Sequence, residues 1–115
     1  MRYILLIYSR ETDWTGLSDD EKRKIAGQYE AFTQSIRRSG HFLAGDGLEP
    51  TAAARTIRVR DRKVFSTDGP FAETREQLGG YYLVEAKDLD EACALAAHIP
   101  AAASGAIEVR PVMTM

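Results

Sequence analysis

Asp68, at the head of the run Asp68-Gly69-Pro70-Phe71, is the side chain in this sequence best placed to do chemistry. Glycine tolerates unusual dihedrals and proline lacks a ladder donor, so a strand entering the run must reverse or leave its sheet. The aspartate can then serve a ligand as acid, base or orienting group, or bond the backbone two residues on and fix the turn. Glu73 and Glu76 follow with Arg75 between them. Two carboxylates near an apolar mouth can have separated pKa values, while a local charge network is the simpler reading. His41 opens a strand-like segment, and an imidazole suits proton transfer near neutrality. Phe71, Tyr81 and Tyr82 are candidates for the apolar wall of a ligand site, and Arg110 for holding an anionic group.

Other chemistries are poorly supplied. The two histidines, His41 and His98, are far apart and have no Cys, Asp or Glu at ligand spacing, so neither a metal site nor a nucleophilic triad is expected, and no cofactor motif is present. The Gly45-Asp46-Gly47 stretch lacks the spacing of a phosphate loop and reads as a bulge or close backbone approach. Cys93 lies among Ala92, Ala94 and Leu95 and is expected to pack in a helix. Trp14, in a polar loop, is the less expected aromatic, and a lid or dimer contact would account for it.

These residues need a scaffold, and 115 residues make one domain spanning 1–115. The chain is 44% hydrophobic and 28% charged with a net charge of −2, ordinary for a globular protein and without bulk attraction to nucleic acid. Its one basic cluster, Arg55, Arg58, Arg60, Arg62 and Lys63, reads as a solvated hairpin whose charges discourage edge pairing. No apolar run reaches a membrane span, Arg2 leads into a strand rather than a cleavable signal, and the single cysteine agrees with a reducing compartment. A cytoplasmic chain with no membrane or nucleic-acid partner is expected.

Tyr3 to Tyr8 is an unbroken run of strand formers and predicts a central strand covered on both faces. Ser18-Asp19-Asp20-Glu21 has capping-box spacing, and Ile25, Tyr29, Phe32 and Ile36 follow as a helical stripe that stops at Gly40. His41 to Leu48 predicts a second strand, and Thr56 to Arg60 with Lys63 to Thr67 a hairpin around Asp61-Arg62. Tyr81 to Val84 predicts another central strand. Asp88 and Glu91 begin a second helix running to Pro100, and Ala106 to Met113 alternates as a last strand with Glu108 and Arg110 on one face. The order matches an α+β, ferredoxin-like βαββαβ unit with an inserted β-hairpin. Both helices would cover one sheet face, and a second copy of the chain is the simplest cover for the other, forming a homodimer.

The segments Tyr3–Tyr8, Leu43–Leu48, Thr67–Thr74, Glu76–Tyr82 and Glu108–Val112 together resemble the YCII-related family, in the branch named for its Asp-Gly-Pro-Phe motif. The resemblance implies a dimeric α/β barrel of ferredoxin-like protomers. For function it implies a cofactor-free enzyme with a His and an Asp in its pocket, or an accessory or regulatory role, since genes of the branch neighbour extracytoplasmic-function sigma factors. The residues themselves, polar groups beside aromatic ones, suggest a cofactor-free acid/base enzyme of isomerase or lyase type acting on a small molecule, while the lack of a strong catalytic constellation suggests a noncatalytic ligand-binding or accessory protein with a regulatory partner. Related members carry a pocket histidine on the first helix, where this sequence has Gln28 or Tyr29, so a His/Asp mechanism does not carry over.

Overall fold

A computed structural model describes residues 1–114. Strand β1 (Arg2–Ser9) runs into a one-turn helix α1 (Thr12–Thr15), which holds Trp14 where a loop was expected. Helix α2 (Asp19–Arg38) begins at the predicted box: Ser18 Oγ accepts from the Glu21 N–H at 3.2 Å, and the Glu21 carboxylate accepts from the Ser18 N–H at 3.3 Å. It ends in a Schellman turn, with Gly40 at φ +81° and the His41 N–H reaching the Ile36 carbonyl at 2.9 Å. Next come β2 (Phe42–Gly47), a short 3-10 turn at Thr51–Ala53, β3 (Arg55–Arg60), β4 (Lys63–Asp68), β5 (Gln77–Glu85), α3 (Leu89–Ala96), a second 3-10 turn at Pro100–Ala103 and β6 (Ala106–Pro111).

Four strands form one antiparallel sheet in the order β2-β5-β1-β6, the ferredoxin-like arrangement, with β1 and β5 central as their apolar runs predict. Alternate residues of these strands, Tyr3, Leu5, Ile7, Tyr82 and Val84, join Phe32, Ile36, Ala92, Ala96 and Ile99 in a single core beneath the helices. Leu5 and Val84 lose all solvent contact there. Strands β3 and β4 make a separate two-stranded ribbon, turned at Asp61 (φ 50°) and Arg62 (φ 63°), the left-handed pair that a type I′ hairpin requires.

Three local expectations are refined. Of the two readings of the Gly-Asp-Gly stretch, the close approach is the one seen, because a Cβ at Gly45 would lie 2.6 Å from the Tyr82 ring; the register shift falls one step earlier, between Phe42 and Ala44. Strand β5 starts four residues before Tyr81, with an irregularity at Gly79 where β1 steps from Ile7 to Tyr8. Helix α3 ends at Ala96, so Ile99 reaches the core from the following turn, while Cys93 faces solvent one position beyond buried Ala92.

Candidate functional site

Because every strand alternates, the sheet has a second face away from the helices. The register places Ile4 beside Leu83, and Leu6 beside Tyr81, at its centre. Ala44 and Asp46 flank them from β2, and Glu108 and Arg110 from β6. Neither helix covers this side. At one flank the Tyr81 hydroxyl donates to Asp46 Oδ2 at 2.9 Å. The hydrogen bond to that carboxylate, reinforced by its charge, raises the Tyr81 phenol above the ordinary tyrosine value and keeps it a donor. At the other flank Arg110 Nε stands 3.9 Å from Glu108 Oε2, both side chains largely in solvent. The bare face thus carries an apolar centre, a phenol–carboxylate pair and an exposed, loosely ion-paired guanidinium.

At the end of the sheet where β5 begins, a groove of about 550 Å³ separates the loop after β1 from the Asp-Gly-Pro-Phe segment, with Arg10, Glu11, Thr51, Pro70, Arg75 and Gln77 among its walls. Its shape is fixed by internal bonds. The Glu11 carboxylate accepts from both the backbone N–H and the hydroxyl of Thr51, the latter at 2.8 Å. Gln77 Nε2 donates to the carbonyls of Ala72 and Thr74 at 2.8 and 3.0 Å, clamping the loop. Among the described residues, no carboxylate lies within ion-pair distance of Arg10 or Arg75.

The residues singled out in the sequence are dispersed. Asp68 closes β4 opposite Arg55, its carboxylate 3.4 Å from Arg55 Nε and mostly in water. It does not fix the turn through its own side chain. That is done by the Gly69 N–H to the Ala54 carbonyl at 2.8 Å and by the Thr56 hydroxyl to the Gly69 carbonyl at 2.9 Å, with Gly69 at φ +101°. Phe71 is exposed, with the Arg58 guanidinium 5.0 Å from its ring centre. Tyr81 lies on the bare face, but Tyr82 turns the opposite way into the core. There it meets Phe32 edge to face at 5.1 Å, its hydroxyl is 2.8 Å from Thr33 Oγ1, and burial raises its phenol. Tyr82 is therefore a packing residue and not part of the open wall.

His41 sits at the far end of β5. Its carbonyl accepts from the Glu85 N–H, eight residues and roughly 26 Å of strand from Gln77, so it does not meet Asp68. Its ring bridges Ser39 Oγ (2.6 Å to Nδ1) and Glu91 Oε1 (3.1 Å to Nε2), joining the end of α2 to the start of α3. The Glu91 carboxyl is held below its ordinary value, first by the Lys87 N–H and then by His41. Gln28 and Tyr29 are both on α2, on the helix side of the sheet. Asp46 was missed as a site residue, although a carboxylate inside a strand, bracketed by glycines, is itself unusual.

Comparison with known proteins gives two results. The model of the YCII-related domain matches residues 1–115. An uncharacterised protein of Rhizobium meliloti (strain 1021) is 35% identical over 113 residues, covering 96% of this chain and 91% of that protein.

Proposed function

The chain belongs to the YCII-related family, and from that premise we propose that it works in the cytoplasm as a homodimer whose two bare sheet faces enclose a small-molecule chamber. The observation that carries this reading is the Tyr81–Asp46 pair, 2.9 Å apart and beside the apolar centre of a sheet face that no helix covers. Ile4, Leu6 and Leu83 would supply the dry wall. Asp46 would take a proton from carbon and return it to a neighbouring carbon or to the leaving group, Tyr81 would orient that carboxylate through its one hydroxyl proton, and Arg110 would hold an anionic substituent and offset developing negative charge. Such a set performs isomerisation or elimination without a cofactor.

Two measurements test it. Light scattering at micromolar concentration should give a dimer, and Leu6→Glu, which puts a charge at the centre of the face, should give a folded monomer. A thermal-shift screen of small carboxylic and hydroxy-aromatic metabolites should find a stabilising ligand whose effect is lost in Asp46→Asn. A monomeric wild type sinks the dimer, and an unchanged ligand shift in Asp46→Asn sinks the assigned base.

A second reading, a noncatalytic ligand-binding or accessory protein, is favoured by the separation of His41 from Asp68 and by Arg10 and Arg75 in the end groove, which have no ion-pair partner among the described residues and suit an anionic ligand. Ligand binding that depends on Arg10 and Arg75 and is indifferent to Asp46 would select it.

A further inference from the structure

The β3–β4 ribbon is the part of the molecule least explained by its own chain. Pairing sets Ile57, Val59 and Val64 on one face and Arg58, Arg60, Lys63 and Phe65 on the other. The three aliphatic side chains are 57%, 55% and 70% exposed. A lone two-stranded hairpin is marginal in water, and an apolar stripe on it adds a further cost to solvent exposure. The ribbon shares no strand with the main sheet. The molecule measures 47 × 44 × 19 Å with a radius of gyration of 15.9 Å, against roughly 13 Å for a compact chain of this length.

We propose that each copy's β3–β4 arm clasps the other copy of the homodimer, laying the Ile57–Val59–Val64 stripe on its surface. This rests on the dimer reading above and adds which element locks it. Charge selects a second copy as the occupant. Residues 55–68 carry five cations, Arg55, Arg58, Arg60, Arg62 and Lys63, against the carboxylates of Asp61 and Asp68, within a chain whose net charge is −2. The arm is therefore basic and the rest of the chain acidic, so the arm is drawn at long range to a body like its own, while Arg58, Arg60 and Lys63, on the face opposite the stripe, stay in solvent. The arm also springs from Ala54 and Gly69, whose backbones are bonded together at its root. That root adjoins the groove wall formed by Pro70. A clasping arm thereby ties the Asp-Gly-Pro-Phe segment of one copy to the closure of the pair.

Hydrogen exchange across a dilution series tests this on the wild-type chain, with sedimentation reporting assembly. Amides of residues 55–68 should be protected in the dimer and lose protection as it dissociates. Val59→Lys with Val64→Lys should weaken the dimer about tenfold or more by placing charge in the contact. A stable dimer with arm amides that exchange equally fast at every concentration, and with dissociation unchanged by the double variant, overturns the clasp and leaves the dimer standing. A wild type that stays monomeric overturns both. Arm protection that appears only on adding duplex DNA or anionic vesicles also overturns the clasp.

Discussion

The ring of Tyr82 lies directly over the backbone of Gly45 on the neighbouring strand: a Cβ at residue 45 would stand 2.6 Å from Tyr82 Cδ1 and 3.2 Å from the Tyr81 carbonyl oxygen. The ring is held from behind by Phe32 and by its bond to Thr33, so it has little room to retreat. Gly47, two residues on, has open space where its Cβ would be.

Gly45→Ala should therefore destabilise the fold by about 1–3 kcal/mol through overpacking, while Gly47→Ala should stay within about 0.5 kcal/mol. Chemical denaturation of the two variants beside the wild type checks this, and equal losses would show that the ring yields.

The phenol–carboxylate pair on the bare face has its own signature. Hydrogen bonding to Asp46 holds the Tyr81 proton, raising its pKa. Asp46→Asn removes the anionic acceptor, so Tyr81 should ionise at lower pH than in the wild type. Ultraviolet titration of phenolate, with Tyr81→Phe identifying the signal, reads the shift. No downward movement would mean that the pair does not persist in solution.

Acid should loosen the join between α2 and α3. Folding holds the Glu91 carboxyl below 4.5 through the Lys87 N–H and His41. A carboxylate depressed on folding stabilises the native state above its unfolded value and loses that contribution as pH falls through its folded value. Glu91→Gln should thus be less stable than the wild type at neutral pH, with the difference closing as pH falls below 4.5. Melting curves across that range test it, and a gap that widens in acid would contradict it.

The hairpin turn holds two non-glycine residues in left-handed conformation, Asp61 and Arg62. Arg62→Gly makes the Asp-Gly pair favoured in this turn and should stabilise the ribbon by about 1 kcal/mol. Amides of β3 and β4 would then exchange roughly fivefold more slowly, measured under conditions of constant oligomeric state.

Local signals carried much of the fold. Ser18 and Glu21 are three residues apart, Gly40 lies just past the helix's capping Ser39, and Asp61-Arg62 lies between two short alternating runs, so each element could be read within a window of a few residues. The site was harder because its pairings are distant. Tyr81 and Asp46 are 35 residues apart and meet only because β2 lies against β5 in one register. Tyr81 and Tyr82 could not be told apart either, since a run apolar on both sides carries no parity. It is the sheet register that sends one to the open face and the other to the core. Asp68 was conspicuous for the opposite reason: a memorable local motif marks the arm's root, and its carboxylate pairs with Arg55 across that root.

The division of β1 into Tyr3, Leu5 and Ile7 on one side and Ile4, Leu6 and Tyr8 on the other gives the strand two independent vocabularies. Under the proposed reading, substitutions at the odd positions act on folding and those at the even positions on recognition. Ile4 and Leu6 are therefore the positions at which the wall of the proposed chamber can be altered without touching the helix-side packing of Tyr3, Leu5 and Ile7.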